Sequence, residues 1–299
     1  FALVVLLLGY WRFHFISNTD SGRSKGAEND MPPLSQVAAD TREKPDFANR
    51  SLALLLVRSS YLNLRESVKN IYFVVIVLAA VLAVFASSLN MGAIYGTSTY
   101  PVTYQVLELI GDTFSLFMLI ITTFYAGEIV WREREARMAP MLDVMPVPTW
   151  VRMLAKVFAL VGLQALMLFV LMLCGLLIQV FNGYFAFEPG LYVQSLFLVQ
   201  LPLWALVAVL AIAAQVLLNH KYVAYSAMII YYVATITFSS LGLDHPMLLY
   251  GTSPDFVYSA MNGFGHYLAR ERWFQLYWGG AALMLVVLSL VFWPRGCND

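Results

Sequence analysis

At 299 residues, 60% hydrophobic and only 12% charged, with a mean hydropathy of +0.71, the chain is not an ordinary soluble domain, in which charged residues make up about a quarter of the total. A formal net charge of zero, from 18 basic and 18 acidic residues, gives no ground for a nucleic-acid partner. Two cysteines, Cys174 inside an apolar run and Cys297 near the end, can build neither a disulfide framework nor a metal site.

The first run, FALVVLLLGYWRFHF, lacks the charged leader and the small-residue cleavage site of a signal peptide. It reads as the inner end of a truncated membrane helix (1–16), and the sequence as part of something longer. Residues 17–50 are rich in Ser, Asp, Lys and Arg, contain Pro32-Pro33, and hold too few large apolar residues to build a core. They read as a flexible cytoplasmic linker. Over 51–70, Leu54, Val57, Tyr61, Leu64 and Val68 recur at three- and four-residue steps, with Arg58, Arg65 and Lys69 off that stripe. This is an amphipathic helix. Its basic face suits a helix lying flat at the inner membrane surface; a plain cytoplasmic extension of the following helix is the alternative.

A six-helix transmembrane region then occupies 71–296. Its spans lie at about 71–89, 104–131, 149–181, 191–218, 222–242 and 273–294, each long enough for a bilayer core of ~30 Å. With 17–50 inside, every Lys and Arg except Arg270 and Arg272 falls on the inner side, as the positive-inside rule requires. Trp131, Trp150, Trp273, Trp278 and Trp293 sit near helix ends, where aromatic belts form. An outer echo, Tyr95-Gly-Thr-Ser98 and Tyr250-Gly-Thr-Ser253, is either chance or a pair of similar turns packed as a cap.

No phosphate loop, zinc-binding His pair or nucleophile elbow is present. His14, His220, His245 and His266 are scattered, and an outer metal site from His245, His266, Asp244 and Asp255 lacks ligand spacing. Glu108 and Asp112 share one face of the second span. At ~1.5 Å per residue Asp112 lies ~28 Å from Trp131, near the outer interface. The pair reads equally as a translocation-path site or a solvated outer pair. Gln164, Gln179, Gln194, Gln200 and Gln215 are expected to bond between helices.

The densest signal is the inner turn FYAGEIVWREREARMAPMLDVMPVPTWVRMLAK, 124–156. Glu128–Arg132 and Glu133–Arg137 are acid-first i, i+4 pairs that can extend the second span past the membrane. Ala136, Met138, Met141, Leu142 and Met145 supply apolar contacts, and flexible Met suits adaptable surfaces. Pro140 is expected to break the extension, Pro146 and Pro148 to force a further turn, and Thr149 to cap the third span. A helix, a short amphipathic helix and another helix result, forming a docking surface on the cytoplasmic face.

That order of elements resembles a type-2 ABC transporter permease half. The wording of the inner turn, with YGTSTYPVTY before it and NHKY and MNGFGHYL after it, is similar to bacterial ABC permeases fused to a zinc aminopeptidase-like domain. The resemblance covers 51–296. It implies an interfacial elbow helix at 51–70 and a coupling helix within 132–148. The contacts to a separate ATPase subunit would be Arg132, Glu133, Arg134, Arg137, Met138, Met141, Leu142 and Asp143. It further implies that 243–272 is a partly re-entrant outer segment turned by Gly263 and Gly265. ATP and Mg would sit on the partner, no cofactor or metal in this chain, and a second permease half beside it in a bacterial inner membrane. The residues are therefore read as a permease of an ATP-driven exporter. Two other readings stay open: a membrane anchor for an attached peptidase-like domain, and a secondary transporter using Glu108 and Asp112.

Overall fold

The apolar runs fold as helices in the computed structural model of the chain, which describes residues 49–89, 93–94, 97–98, 101–145, 147–242, 245–254, 258–259, 263–265 and 267–293. The helix expected at 1–16 and nearly all of the linker expected at 17–50 lie outside the described residues. Helix α1 spans Asn49–Lys69 and α2 spans Ile71–Ser88. Asn70 separates them: its extended backbone and its Oδ1, which accepts from the Tyr72 N–H at 3.2 Å, cap the first turn of α2. A two-residue antiparallel hairpin follows, pairing Ala93 with Ser98 and Ile94 with Thr97.

Helix α3 is Thr103–Glu135, α4 is Ala139–Val144 and α5 is Thr149–Phe181. Helix α6, Pro189–Val193, runs through a π-helical segment, Gln194–Gln200, into α7, Leu201–Leu217. Helices α8, Lys221–Ser240, and α9, Tyr267–Val291, complete the described elements. Among the described residues, five stretches are long and apolar enough to cross a membrane: α2, Thr113–Glu135 of α3, α5, Pro189–Leu217 and α9. The expected span at 222–242 is helical, as α8, but its tyrosines, threonines and serines dilute its apolar character and it is not among the five. Helix α9 starts six residues before its expected boundary at 273. Hydropathy stops at the polar residues of Tyr267-Leu-Ala-Arg-Glu-Arg, whereas the helix does not.

Helix α3 is the centre of the bundle: 56% of its spanning window is buried within the protein, against 17% for α2 and for α9. Its Ile110, Phe114 and Met118 are buried in one core with Leu160, Leu163 and Met167 of α5 and Ala208, Ala211 and Ile212 of α7. Lipid tails are as apolar as these side chains, so shape and hydrogen bonds rather than water exclusion hold such a bundle. Shape is most exacting at Gly127, where an added Cβ would overlap the Tyr225 ring of α8.

Three of the expected glutamines do bridge helices. Gln164 Nε2 donates to Thr122 Oγ1 at 2.8 Å and to the Trp204 carbonyl at 3.1 Å. Gln179 Nε2 donates to Thr103 Oγ1 at 3.2 Å and to the Pro101 carbonyl at 3.3 Å, while its Oε1 accepts from Tyr192 at 3.2 Å. Gln215 Oε1 accepts from Trp131 Nε1 at 2.9 Å. Trp278 departs from the expected aromatic belt. It is buried, and its Nε1 donates to the carbonyls of Pro246 at 3.2 Å and Thr252 at 3.1 Å, clamping an outer loop.

The second member of the outer echo lies in that loop. Tyr250 Oη donates to the Leu206 carbonyl at 3.1 Å, and Gly251 takes φ +70°. The first member contributes Thr97–Ser98 to the hairpin, and its Tyr95-Gly96 lies outside the described residues. Gly263 and Gly265 take φ +58° and +49°, and Ser259 and Gly263 exchange backbone hydrogen bonds at 3.1 and 2.7 Å.

Candidate functional site

The inner end of α3 turns four faces toward four helices, because its charged residues follow one another at steps that advance around the helix. Arg132 reaches α1: its guanidinium is 2.6 Å from Glu66 Oε2 and donates to Ser67 Oγ at 3.0 Å. Glu133 reaches α5, 3.0 Å from Lys156 Nζ. Glu128 and Glu135 reach α8, at 3.7 and 2.7 Å from Lys221 Nζ. Arg134 stacks 4.6 Å from the Trp131 ring centre and donates to Asn219 Oδ1 at 2.7 Å, just past the end of α7. The expected i, i+4 pairs Glu128–Arg132 and Glu133–Arg137 do not form. Each acid finds a lysine on another helix instead.

Lys156 differs from the other partners by being 1% exposed. A buried cation needs both a counter-charge and hydrogen bonds. Besides Glu133 it donates to the Ile129 carbonyl at 3.0 Å, and Trp293 lies 5.8 Å from its Nζ, within cation–π range. The Arg132–Glu66 pair is more open, with side chains 25% and 60% exposed. Such a pair contributes about 1 kcal/mol or less.

The break after α3 sits at Arg137, not at Pro140. Arg137 takes φ +55°, the left-handed conformation that terminates helices. The Met138 N–H bonds back to the Glu133 carbonyl and the Arg137 N–H to the Arg134 carbonyl, both at 2.9 Å. Pro140 then opens α4 within its first turn, where its missing N–H costs nothing. Thr149 does not cap α5. It is the first helical residue, and its buried Oγ1 has no hydrogen-bond partner among the described residues.

Helix α4 is held by one side. Asp143 meets Arg152 of α5 at 2.8 Å, with the two side chains only 16% and 15% exposed, and Leu142 is half-buried. The other side is bare: Met138, Met141, Val144 and Met145 are 51%, 72%, 86% and 47% exposed. Of the eight residues expected to contact a partner, Arg137, Met138 and Met141 are thus exposed. Arg132, Glu133, Arg134 and Asp143 are engaged within the chain. Val144, the most exposed apolar residue of α4, was missed because it falls outside the Met pattern. Lys156 was missed because a lysine seven residues into an apolar run looks like interfacial decoration.

At the opposite end, Glu108 is exposed and five residues before the apolar stretch that begins at Thr113. The Asp112 side chain lies outside the described residues. Glu271, unremarked in the sequence, is buried at 3% exposure and accepts from Gln275 Nε2 at 3.3 Å. Of the residues considered for an outer metal site, only His245 is described, and its Nδ1 accepts from the Met247 N–H.

Residues 68–237, from the end of α1 through nearly all of α8 and including the whole inner turn, match the family model of the ABC-2 family transporter protein. The chain belongs to this family. It is therefore a multi-pass membrane permease of an ABC transporter, a class whose members work with an ATPase partner. No curated protein matches the chain, and no solved structure matches it. The bare face of α4 is an exposed apolar surface at the same end of the bundle as the α3 ion pairs.

Proposed function

We propose that this ABC-2 permease is one half of the membrane pathway of an ATP-driven exporter in a bacterial inner membrane, and that α4 is where its ATPase docks. The observation that carries this is the division of labour in the inner turn. Charge ties α3 and α4 to the bundle, while Met138, Met141, Val144 and Met145 are left uncovered beside the cation of Arg137. Flexible Met side chains with a nearby positive charge suit an adaptable protein interface. In this reading α1 is the interfacial elbow, α8 is the fifth of six spans, and Gly263 and Gly265 turn a partly re-entrant outer segment. The weakly buried faces of α2 and α9 meet lipid or a second permease half. ATP and Mg stay on the partner, and this chain carries no catalytic residue. Export rather than import rests on the family resemblance.

Met141→Glu with Val144→Glu tests the docking role, because both side chains point away from the bundle. Co-purification with the ATPase and stimulation of its turnover should fall tenfold or more while the permease still folds. Unchanged values for both would end the coupling reading. The alternative, an anchor for an attached peptidase-like domain, would instead show peptidase activity indifferent to ATP and to these two changes.

A further inference from the structure

Helix α1 packs against α5, and between them runs a groove of about 360 Å³. Tyr61, Leu64 and Val68 form one wall and Leu166 the other. Gly162 deepens the floor, since a Cβ there would stand 3.2 Å from Leu64 Cδ2. Arg65 and Lys69 line the same groove, and among the described residues neither makes an ion pair. The acid nearest them in sequence, Glu66, is taken by Arg132. Residues four apart on a helix stand about 6 Å apart, a spacing at which two cations can share one phosphate. The Arg132 contacts to Glu66 and Ser67 fix the last turn of α1 beside the inner end of the apolar stretch Thr113–Glu135. The Lys69 end of the groove is therefore the end nearest the inner terminus of that stretch, and Gly162 and Leu166, which flank the Gln164 that bonds Thr122, lie about 15 Å deeper.

We propose that this groove holds one anionic phospholipid of the inner leaflet, its phosphate on Arg65 and Lys69 and an acyl chain along Leu64, Val68 and Leu166. The proposal rests on the reading of α1 as an interfacial helix. A zwitterionic lipid fits the apolar floor equally but gains less from the two unneutralised cations. Basic residues near a membrane surface favour anionic lipid about five-fold each. Bound lipid would wedge α1 against α5, the helix that carries both Arg152 and Lys156.

The test uses the full chain in vesicles of about equal phosphatidylglycerol and phosphatidylcholine, with a photoactivatable acyl chain on one lipid at a time. Crosslinks are mapped by peptide mass spectrometry. Phosphatidylglycerol should label Tyr61–Lys69 and Gly162–Leu166 at least five-fold more than phosphatidylcholine. Arg65→Glu with Lys69→Glu should bring the two lipids to equal labelling. Gly162→Leu should reduce labelling by both, which a diffuse surface charge would not do. Equal labelling of the unaltered chain by both lipids overturns the proposal and leaves α1 interfacial. Absence of label from either lipid on Tyr61–Lys69 overturns the proposal and the interfacial reading together.

Discussion

Lys156 Nζ lies 3.0 Å from Glu133 Oε1, joining a lysine seven residues into one apolar helix to a glutamate at the end of another. The two ends of this pair are not equivalent. Lys156 is 1% exposed, whereas Glu133 is 29% exposed and has water within reach. Losing the glutamate strands a buried cation, but losing the lysine leaves an acid that can turn outward.

That asymmetry sets an order of stabilities. Glu133→Gln should destabilise by about 3 kcal/mol, the low end for an uncompensated buried charge. Lys156→Met should cost about 1 kcal/mol, and the double variant should recover most of the loss. Thermal unfolding of the four proteins in detergent checks this. Equal losses from the two single changes would show that the pair is solvated.

Arg137 occupies a left-handed backbone conformation at φ +55°, which costs a non-glycine residue roughly 1–2 kcal/mol. Arg137→Gly should therefore leave the melting temperature unchanged or raise it, while Arg137→Ile should lower it. The same glycine variant removes a cation from the proposed docking surface. A stable Arg137→Gly protein with weakened ATPase binding would separate the residue's two contributions, measured by melting and co-purification on one preparation.

Gly127 is the place where α3 admits α8. An added Cβ overlaps the Tyr225 ring, whose hydroxyl donates to the Phe124 carbonyl at 3.2 Å. Gly127→Val should cost about 2–3 kcal/mol by overpacking. Tyr225→Ala should rescue part of that loss, because the clash is with that ring alone among the atoms nearest the site. Failure of rescue would place the strain in the α3 backbone.

The proposed orientation is checked by single cysteines in a background with Cys174 and Cys297 replaced. Arg58→Cys should react with an impermeant thiol reagent only from the inner side, and Arg272→Cys only from the outer side. Labelling of both from one side would break the topology.

The helices were legible because each is a property of its own segment. Apolar length gave α2, α3, α5 and α7, and the three- and four-residue stripe gave α1. The coarse fold and family followed from their order. The pairing of charges was not legible, since it depends on how each helix is rotated against its neighbours. Glu128 and Arg132 look like natural partners four residues apart, yet one turns to Lys221 and the other to Glu66. A local pair contributes only ~0.2–0.5 kcal/mol, so packing easily overrides it. The break at Arg137 was hidden for a related reason: proline advertises itself, and an arginine in a glycine conformation does not. Trp278 looked like a belt residue because its helix-end position says nothing about the carbonyls of Pro246 and Thr252 that it meets.

The radial wiring of α3 also constrains how such a sequence can drift. Arg132 of α3 meets Glu66 and Glu133 of α3 meets Lys156, while Asp143 of α4 meets Arg152, each pair spanning two different helices. A sign change at Glu133 alone would set a like charge against the buried Lys156. Substitutions there should be inherited as coupled exchanges, so that relatives reversing residue 133 also reverse residue 156. The exposed positions 138, 141 and 144 are free of that bookkeeping. Under the proposed docking role, their variation should instead track the identity of the protein that serves each relative as a motor.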